Sequence, residues 1–155
     1  MTENLLGTNV VTQIGLLVHD IEKTSDTFAT LFGMAKPKWN WTDTIDKTEA
    51  TYNGNPCPAR AKLAFFKMGN LDIELIEPDH EPSTWRDYLN EHGEGVHHIA
   101  FQIKGMGEVV KRFDDVGAPL IQKGEYTGGR YAYIDTSESL KVILELLEND
   151  SSSDK

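Results

Sequence analysis

Gly93-Glu94-Gly95-Val96-His97-His98-Ile99-Ala100-Phe101 is the stretch on which the reading of this chain turns. Its alternation predicts a strand, with Val96, His98 and Ala100 on one face and His97, Ile99 and Phe101 on the other. On that pattern only one of the two adjacent imidazoles looks into a site on a given side of the sheet. His98 is the one around which the rest of the chain repeats.

Downstream, Met106, Val109, Val110 and Phe113 fall at i, i+3, i+4 and i+7 on a helix ended by Gly117. Pro119–Tyr126, Arg130–Asp135 and Leu140–Glu148 then read as strands, with Gly128-Gly129 as a flexible turn. Upstream the same order appears. Val10–Val18 reads as a strand, and Asp20 is placed to cap a helix carrying Ile21, Phe28, Leu31 and Phe32 that Gly33 stops. Lys36–Trp41 alternates as a strand with Trp39 and Trp41 on one face, and residues 42–58 form a polar, turn-rich loop. Ala59–Met68 and Leu71–Glu77 make a hairpin about Gly69-Asn70. The expected organisation is one domain over 1–155. It has modules at 10–78 and 94–148, a short helical linker at 79–93 with Trp85, Tyr88 and Leu89, and a disordered polar tail at 149–155.

The repeat can be checked by spacing. Gln13 lies 20 positions before Gly33, and His98 lies 19 before Gly117. Gln13 to Glu74 is 61 positions and His98 to Glu145 is 47, and the excess of 14 is close to the length of the polar loop. Gln13 and His98 therefore occupy equivalent first strands, and Glu74 and Glu145 equivalent last strands. Any one of the four alone reads as a solvated or core polar residue. Together they are two carboxylates, an imidazole and an amide oxygen at matched positions, a mostly hard donor set suited to one six-coordinate divalent ion such as Zn, Co, Ni, Mn or Mg.

Composition narrows the partners. A formal charge of -10 disfavours nucleic acid and anionic membrane surfaces, and no basic patch offsets it. Cys57 is the sole cysteine, which excludes an intramolecular disulfide and a cysteine-based zinc site. No signal-peptide pattern and no membrane-length apolar run stands in the sequence, so the expectation is a cytoplasmic protein acting on a small-molecule substrate. Open sheet edges and faces predict a homodimer.

The paired modules, with Glu94–Phe101, Gly69-Asn70 ahead of Ile73-Glu74-Leu75, Gly128-Gly129-Arg130 and Leu144-Glu145-Leu146, resemble the vicinal oxygen chelate superfamily, which includes glyoxalase I and methylmalonyl-CoA epimerase. The resemblance implies an α+β fold of two paired βαβββ modules forming a curved mixed sheet around a metal held by Gln13, Glu74, His98 and Glu145. It implies an isomerase, epimerase or lyase that abstracts a proton next to a carbonyl through a metal-stabilised enediolate. Glu145 is then the candidate base and Glu74 its counterpart, with Lys62 and Tyr133 next in line. Trp39, Trp41, Arg130, Tyr131 and Tyr133 are the expected substrate contacts, better suited to a sugar ring or flat apolar group than to coenzyme A.

The chain departs from both named relatives. The glutathione contacts of glyoxalase I fall at Leu17, Pro78 and Glu94, and Ala61-Lys62-Leu63-Ala64-Phe65-Phe66 lacks the extra carboxylate of some epimerases. Two other readings of the family stay open. One is a metal-free binding protein with an aromatic cleft of Trp39, Trp41, Tyr52, Tyr131 and Tyr133. The other, a ring-cleaving dioxygenase, needs two histidines with a carboxylate, and the alternation turns His97 away from His98 while His19 lies at a strand end.

Overall fold

The computed structural model describes residues 3–151. The first module contains β1 (Gln13–Leu17), α1 (Ile21–Phe32), β2 (Asn40–Trp41), α2 (Ile45–Thr48), β3 (Thr51–Tyr52), β4 (Asn55–Pro56), β5 (Ala61–Lys67) and β6 (Asp72–Pro78). The linker helix α3 (Thr84–His92) leads to β7 (Gly95–Gln102), α4 (Met106–Asp115), β8 (Leu120–Tyr126), β9 (Gly129–Ile134), α5 (Ser137–Leu140) and β10 (Ile143–Asn149). Among the described residues the strands form one curled mixed sheet, ordered β2-β5-β6-β1-β7-β10-β9-β8-β3-β4. This is the α+β arrangement of two paired modules on one curved mixed sheet.

The register makes the repeat explicit. β1 runs parallel to β6 with Gly15 opposite Glu74, and β7 runs parallel to β10 with Ala100 opposite Glu145. Between the modules β1 and β7 are antiparallel, with Gln13 opposite Ala100 and Gly15 opposite His98. The four donors stand on four neighbouring strands, β6, β1, β7 and β10.

Helices cover the outside and plug one end of the inside. The Asp20 side chain accepts from the Lys23 backbone N–H at 3.0 Å to cap α1, and Gly33 ends it at φ 62°, a conformation that favours glycine. Ile21 and Phe28 of α1 pack on Val18, Ala64, Phe66 and Leu75, while Val109 and Phe113 of α4 pack on Phe101, Ala132, Ile134, Leu144 and Leu146. Trp85 and Leu89 of α3 enter the opposite, concave face among Leu17, Ala61, Ile76, Tyr133 and Ile143.

Several expectations are corrected. β1 starts at Gln13, since Val10 is exposed, and the strand expected over 36–41 shrinks to Asn40–Trp41. The loop expected at 42–58 is partly ordered. Asn53 and Gly54 both take positive φ, the geometry of a tight hairpin turn, and join β3 to β4. β3 then pairs with β8 at the far edge of the second module, so the segment forms a strap between the two ends of the sheet. The last strand begins at Ile143, because α5 occupies Ser137–Leu140 and Lys141 turns the chain at φ 65°. Of the expected disordered tail, Asn149 belongs to β10 and Asp150 bonds to Gly128 and Arg130, while residues 152–155 lie outside the described residues. No helix of the described residues is long and apolar enough to cross a membrane.

Candidate active site

Alternation along β1, β6, β7 and β10 sends Gln13, Glu74, His98 and Glu145 to the concave face, where the sheet's curl brings them together. From His98 Nε2 it is 2.9 Å to Glu145 Oε2, 3.5 Å to Gln13 Oε1 and 3.8 Å to Glu74 Oε1. All four are buried, His98 completely. The imidazole lies flat over Gly15. A Cβ at that position would stand 2.1 to 2.6 Å from three atoms of the ring, so glycine is what makes room for it.

The electrostatics follow from two carboxylates held out of water around one imidazole. Burial opposes a charged His98, but the charges of Glu145 and then Glu74 raise its proton affinity overall. Burial, reinforced by the charge of Glu145, pushes Glu74 up to about 8. Glu145 Oε2, although close to His98 Nε2, has no properly directed hydrogen-bond partner among the described residues. An orphaned buried carboxylate oxygen beside a second carboxylate is a place that calls for positive charge.

Whether a divalent ion fits can be tested on the donor spacing. Ligand bonds of about 2.1 Å put neighbouring donors of a six-coordinate ion roughly 3.0 Å apart and opposite ones roughly 4.2 Å apart. The separations from His98 Nε2, 2.9 Å to Glu145, 3.5 Å to Gln13 and 3.8 Å to Glu74, lie at or between those two values to within about 0.1 Å. Among the described residues no three His, Cys, Asp or Glu side chains already stand as a finished ligand group, so the set depends on the Gln13 amide and on small side-chain adjustments. On spacing, on the orphaned oxygen and on donor chemistry, the residues fit.

Gln13, Glu74 and Glu145, with His98 buried behind them, form the floor of a cavity of about 460 Å³ walled by Leu63, Phe65, Trp85, Tyr131, Tyr133 and Leu147 and reached by Trp41. The strap adds Thr42, Asp43, Thr48 and Ala50, and the β8–β9 turn region adds Glu125, Tyr126 and Thr127. Tyr133 is nearly fully buried, and its hydroxyl accepts from Trp85 Nε1 at 3.0 Å. Burial and the two carboxylates hold its phenol well above the ordinary range. It therefore stands as a neutral wall group and not as a base.

Other expected contacts lie elsewhere. Trp39 packs with the α1 cluster and donates to Glu22, and Lys62, paired with Glu77 at 3.1 Å, stands 4.7 Å from the Trp39 ring. Lys62 alternates with the inward Ala61 and Leu63, which turns it to the helix side and removes it as a candidate base. Arg130 is tied to Glu125, Glu148 and Asp150, and Tyr52 donates to Asp87, so neither lines the cavity.

His97 is the sharpest correction. The β1–β7 register shifts between Gly15 and Leu16, so that His98 faces Gly15 and Val96 faces Leu16, with His97 as the extra residue of a β-bulge. Alternation fails there, and His97 sits on the same side as His98, their Nδ1 atoms 2.9 Å apart. The argument that set the dioxygenase reading aside thus falls. A different one replaces it, since His97 Nε2 is 3.1 Å from Thr84 Oγ1 and both ring nitrogens are engaged. Gly15, a lone glycine inside a strand pattern, also belongs to the site, as do Phe65 and Trp85, whose inward positions depend on the hairpin register and on where α3 docks.

Comparison with known proteins agrees with this architecture. A family model of the Glyoxalase/Bleomycin resistance protein/Dioxygenase superfamily matches residues 12–133. An uncharacterized Bacillus subtilis protein, YqjC, is 33% identical over 92 residues, 57% of this chain and 66% of that protein, so the chain spans just under two thirds of that relative's length. Among solved structures, methylmalonyl-CoA epimerase from Mycobacterium tuberculosis is similar at TM-score 0.65 and 17% identity, over 99% of this chain and 95% of that one. A hypothetical protein from Bacillus halodurans is similar at 0.61 and 24% identity, over 92% and 95%. Streptomyces coelicolor methylmalonyl-CoA epimerase in complex with 2-nitronate-propionyl-CoA is similar at 0.60 and 19% identity, over 91% and 97%. These structural likenesses are likenesses of fold.

Proposed function

The chain belongs to the glyoxalase/bleomycin resistance protein/dioxygenase superfamily, and from that premise we propose that it is a divalent-metal-dependent isomerase, epimerase or lyase acting by proton transfer next to a carbonyl. The observation that carries this reading is the convergence of Gln13, Glu74 and Glu145, which line the cavity floor, on the Nε2 of a fully buried His98. Gln13, Glu74, His98 and Glu145 would hold the ion. When bound, it supplies Lewis acidity to a substrate carbonyl and so acidifies the neighbouring C–H.

The chain's own residues do the proton chemistry. Glu145, whose carboxylate lines the cavity, takes the proton from the α-carbon. Glu74, on the other side of the imidazole, returns a proton at the same carbon in an epimerisation, whereas Glu145 redelivering its proton to the adjacent carbon gives an isomerisation. Phe65, Trp85, Tyr131 and Tyr133 keep water from the reacting carbon and offer flat faces to a ring.

The lining also selects the substrate. Asp43 and Glu125 are its charged groups away from the floor, and it contains neither Lys nor Arg. A small carbonyl compound with a sugar or flat apolar ring fits that environment, whereas the phosphates of a coenzyme A thioester meet acidic side chains. A metal-free binding protein is the second reading, favoured by the same aromatic walls. Protein purified without a tag should contain about one divalent ion per chain and should catalyse solvent deuterium uptake at the α-carbon of a carbonyl substrate. Ligand binding with neither metal nor exchange would give the second reading the case.

A further inference from the structure

We propose that His97 is the positioning residue of the site: its Nδ1 accepts the Nδ1–H of His98 and so keeps the Nε2 lone pair of His98 turned to the point where Gln13, Glu74 and Glu145 converge. The inference rests on reading that quartet as a cation-holding set. The argument itself begins from the bulge, which places two completely buried imidazoles with their Nδ1 atoms 2.9 Å apart.

One proton belongs between those two nitrogens. Two would collide, and none would leave two lone pairs facing each other in a dry interior. If His98 is to use Nε2 as a donor to a cation, its own proton must be on Nδ1, so the shared proton is the one His98 donates. His97 then carries its proton on Nε2 and donates it to Thr84 Oγ1, 3.1 Å away. Without a cation the same assignment leaves His98 Nε2 free to carry a second proton toward Glu145 Oε2, 2.9 Å away.

The surroundings fix His97 in that role. Its ring is met edge-on by Tyr88 at 5.3 Å and by Tyr133 at 5.1 Å, which blocks rotation. Thr84 is anchored in turn, its backbone N–H donating to Gln122 Oε1 at 2.9 Å, while Gln122 Nε2 donates to the Tyr131 hydroxyl at 3.1 Å. The linker helix, which belongs to neither module, thus reaches the metal-facing imidazole through one residue. A partner behind a ligating histidine is commonly a carboxylate or carbonyl. Here a neutral imidazole orients His98 without adding a third negative charge to a site that already buries two.

The test uses the full chain, uniformly labelled with nitrogen-15, first chelator-treated and then loaded with zinc. Long-range proton–nitrogen correlation should show His97 with a protonated Nε2 and a bare Nδ1 in both states. A protonated Nδ1 on His97 overturns the proposal. Zinc affinity, read by competition with a chromophoric chelator, should fall about 10- to 100-fold in His97→Phe, which keeps a ring and loses the acceptor. His97→Asn, whose Oδ1 can take the place of Nδ1, should recover most of that loss. Equal affinity in the wild type and both variants overturns the proposal, as does a loss in His97→Asn as large as in His97→Phe. Should His97→Phe fail to fold, the spectrum of the wild type decides. A wild type that takes up no zinc removes the cation reading of the quartet, and the metal-free spectrum still decides the role of His97.

Discussion

The two modules are equal at the donors and unequal everywhere around them. Gln13 and Glu74 stand in the same register as His98 and Glu145, because Gly15 faces Glu74 as Ala100 faces Glu145. One step away the equivalence breaks. The position that faces His98 across the β1–β7 seam is a bare glycine, while the one that faces Gln13 is an alanine. An imidazole laid flat on its neighbour needs the space of a methyl group, and an amide does not. The second strands differ more. The second module keeps β8 as seven residues, whereas its counterpart is the two-residue β2, and the chain released there becomes the strap that pairs with β8. Two copies of one unit can thus share a site yet divide the work, with close packing of the imidazole in one place and a roof in another.

The largest effect should come from exchanging the residues at the broken equivalence. Gly15→Ala puts a Cβ within 2.6 Å of a ring that His97 and Tyr133 hem in, so the ring must leave its place. We expect destabilisation of about 1–3 kcal/mol, the usual range for overpacking, together with loss of divalent-ion binding by the folded fraction. Ala100→Gly removes a methyl group and adds chain entropy, for about 1 kcal/mol, and should leave ion binding intact. Chemical denaturation and metal analysis of both proteins make the check. Similar ion binding by the two would mean that the glycine is not what seats the imidazole.

The second effect concerns the carboxylates, whose positions are equivalent and whose proposed roles are not. Glu145→Gln keeps shape and an oxygen donor while removing the base, so deuterium exchange at the α-carbon should fall ~10²-fold or more with some metal retained. If the enzyme is an epimerase, Glu74→Gln should slow exchange comparably on the opposite stereoisomer. If it is an isomerase, that loss should be smaller. Undiminished exchange in metal-loaded Glu145→Gln would move the base away from Glu145.

What the sequence made legible divides along the same line. Gln13, Glu74, His98 and Glu145 were readable because a strand repeat is counted in residues and the polar loop accounts for the one mismatch. Each feature that escaped depends on something other than counting. His97 joined the site because a bulge adds a residue and cancels alternation, and no residue type in Val96-His97-His98 announces a bulge. Asn53-Gly54 was visible as a turn, but its partner strand β8 lies far along the chain, and a two-residue strand has no periodicity of its own. Trp39 and Arg130 were chosen for their chemistry. Glu22 and the α1 cluster claim the first, and three carboxylates claim the second. Residue type proposes a contact, but the competing partners that decide it come from distant segments.

The smallest effect is a pH dependence that one module's carboxylate should impose on the metal-free protein. In the unfolded chain Glu74 has an ordinary value near 4.5, and in the folded protein burial and the charge of Glu145 push it up to about 8. Below 4.5 both states carry the proton, and the stability linked to this group is fully present. Between 4.5 and about 8 the unfolded chain releases the proton while the folded one keeps it, so stability falls as pH rises, and above 8 it levels off. His98, raised from 6.5 against the pull of burial by Glu145 and Glu74, contributes with the same sign. The Tm of chelator-treated protein should therefore decline from pH 5 to pH 8. Glu74→Gln removes the part belonging to Glu74, and its decline should be shallower, by about 2–4 °C for each kcal/mol of that linkage in a chain of this size. General repulsion in this acidic chain adds nearly the same slope to both proteins and cancels in the difference. Parallel Tm curves for the two would show that Glu74 keeps its proton no more tightly folded than unfolded. A divalent ion supplied at pH 8 should restore the lost stability in the wild type, since it provides the positive charge that the protons gave at pH 5.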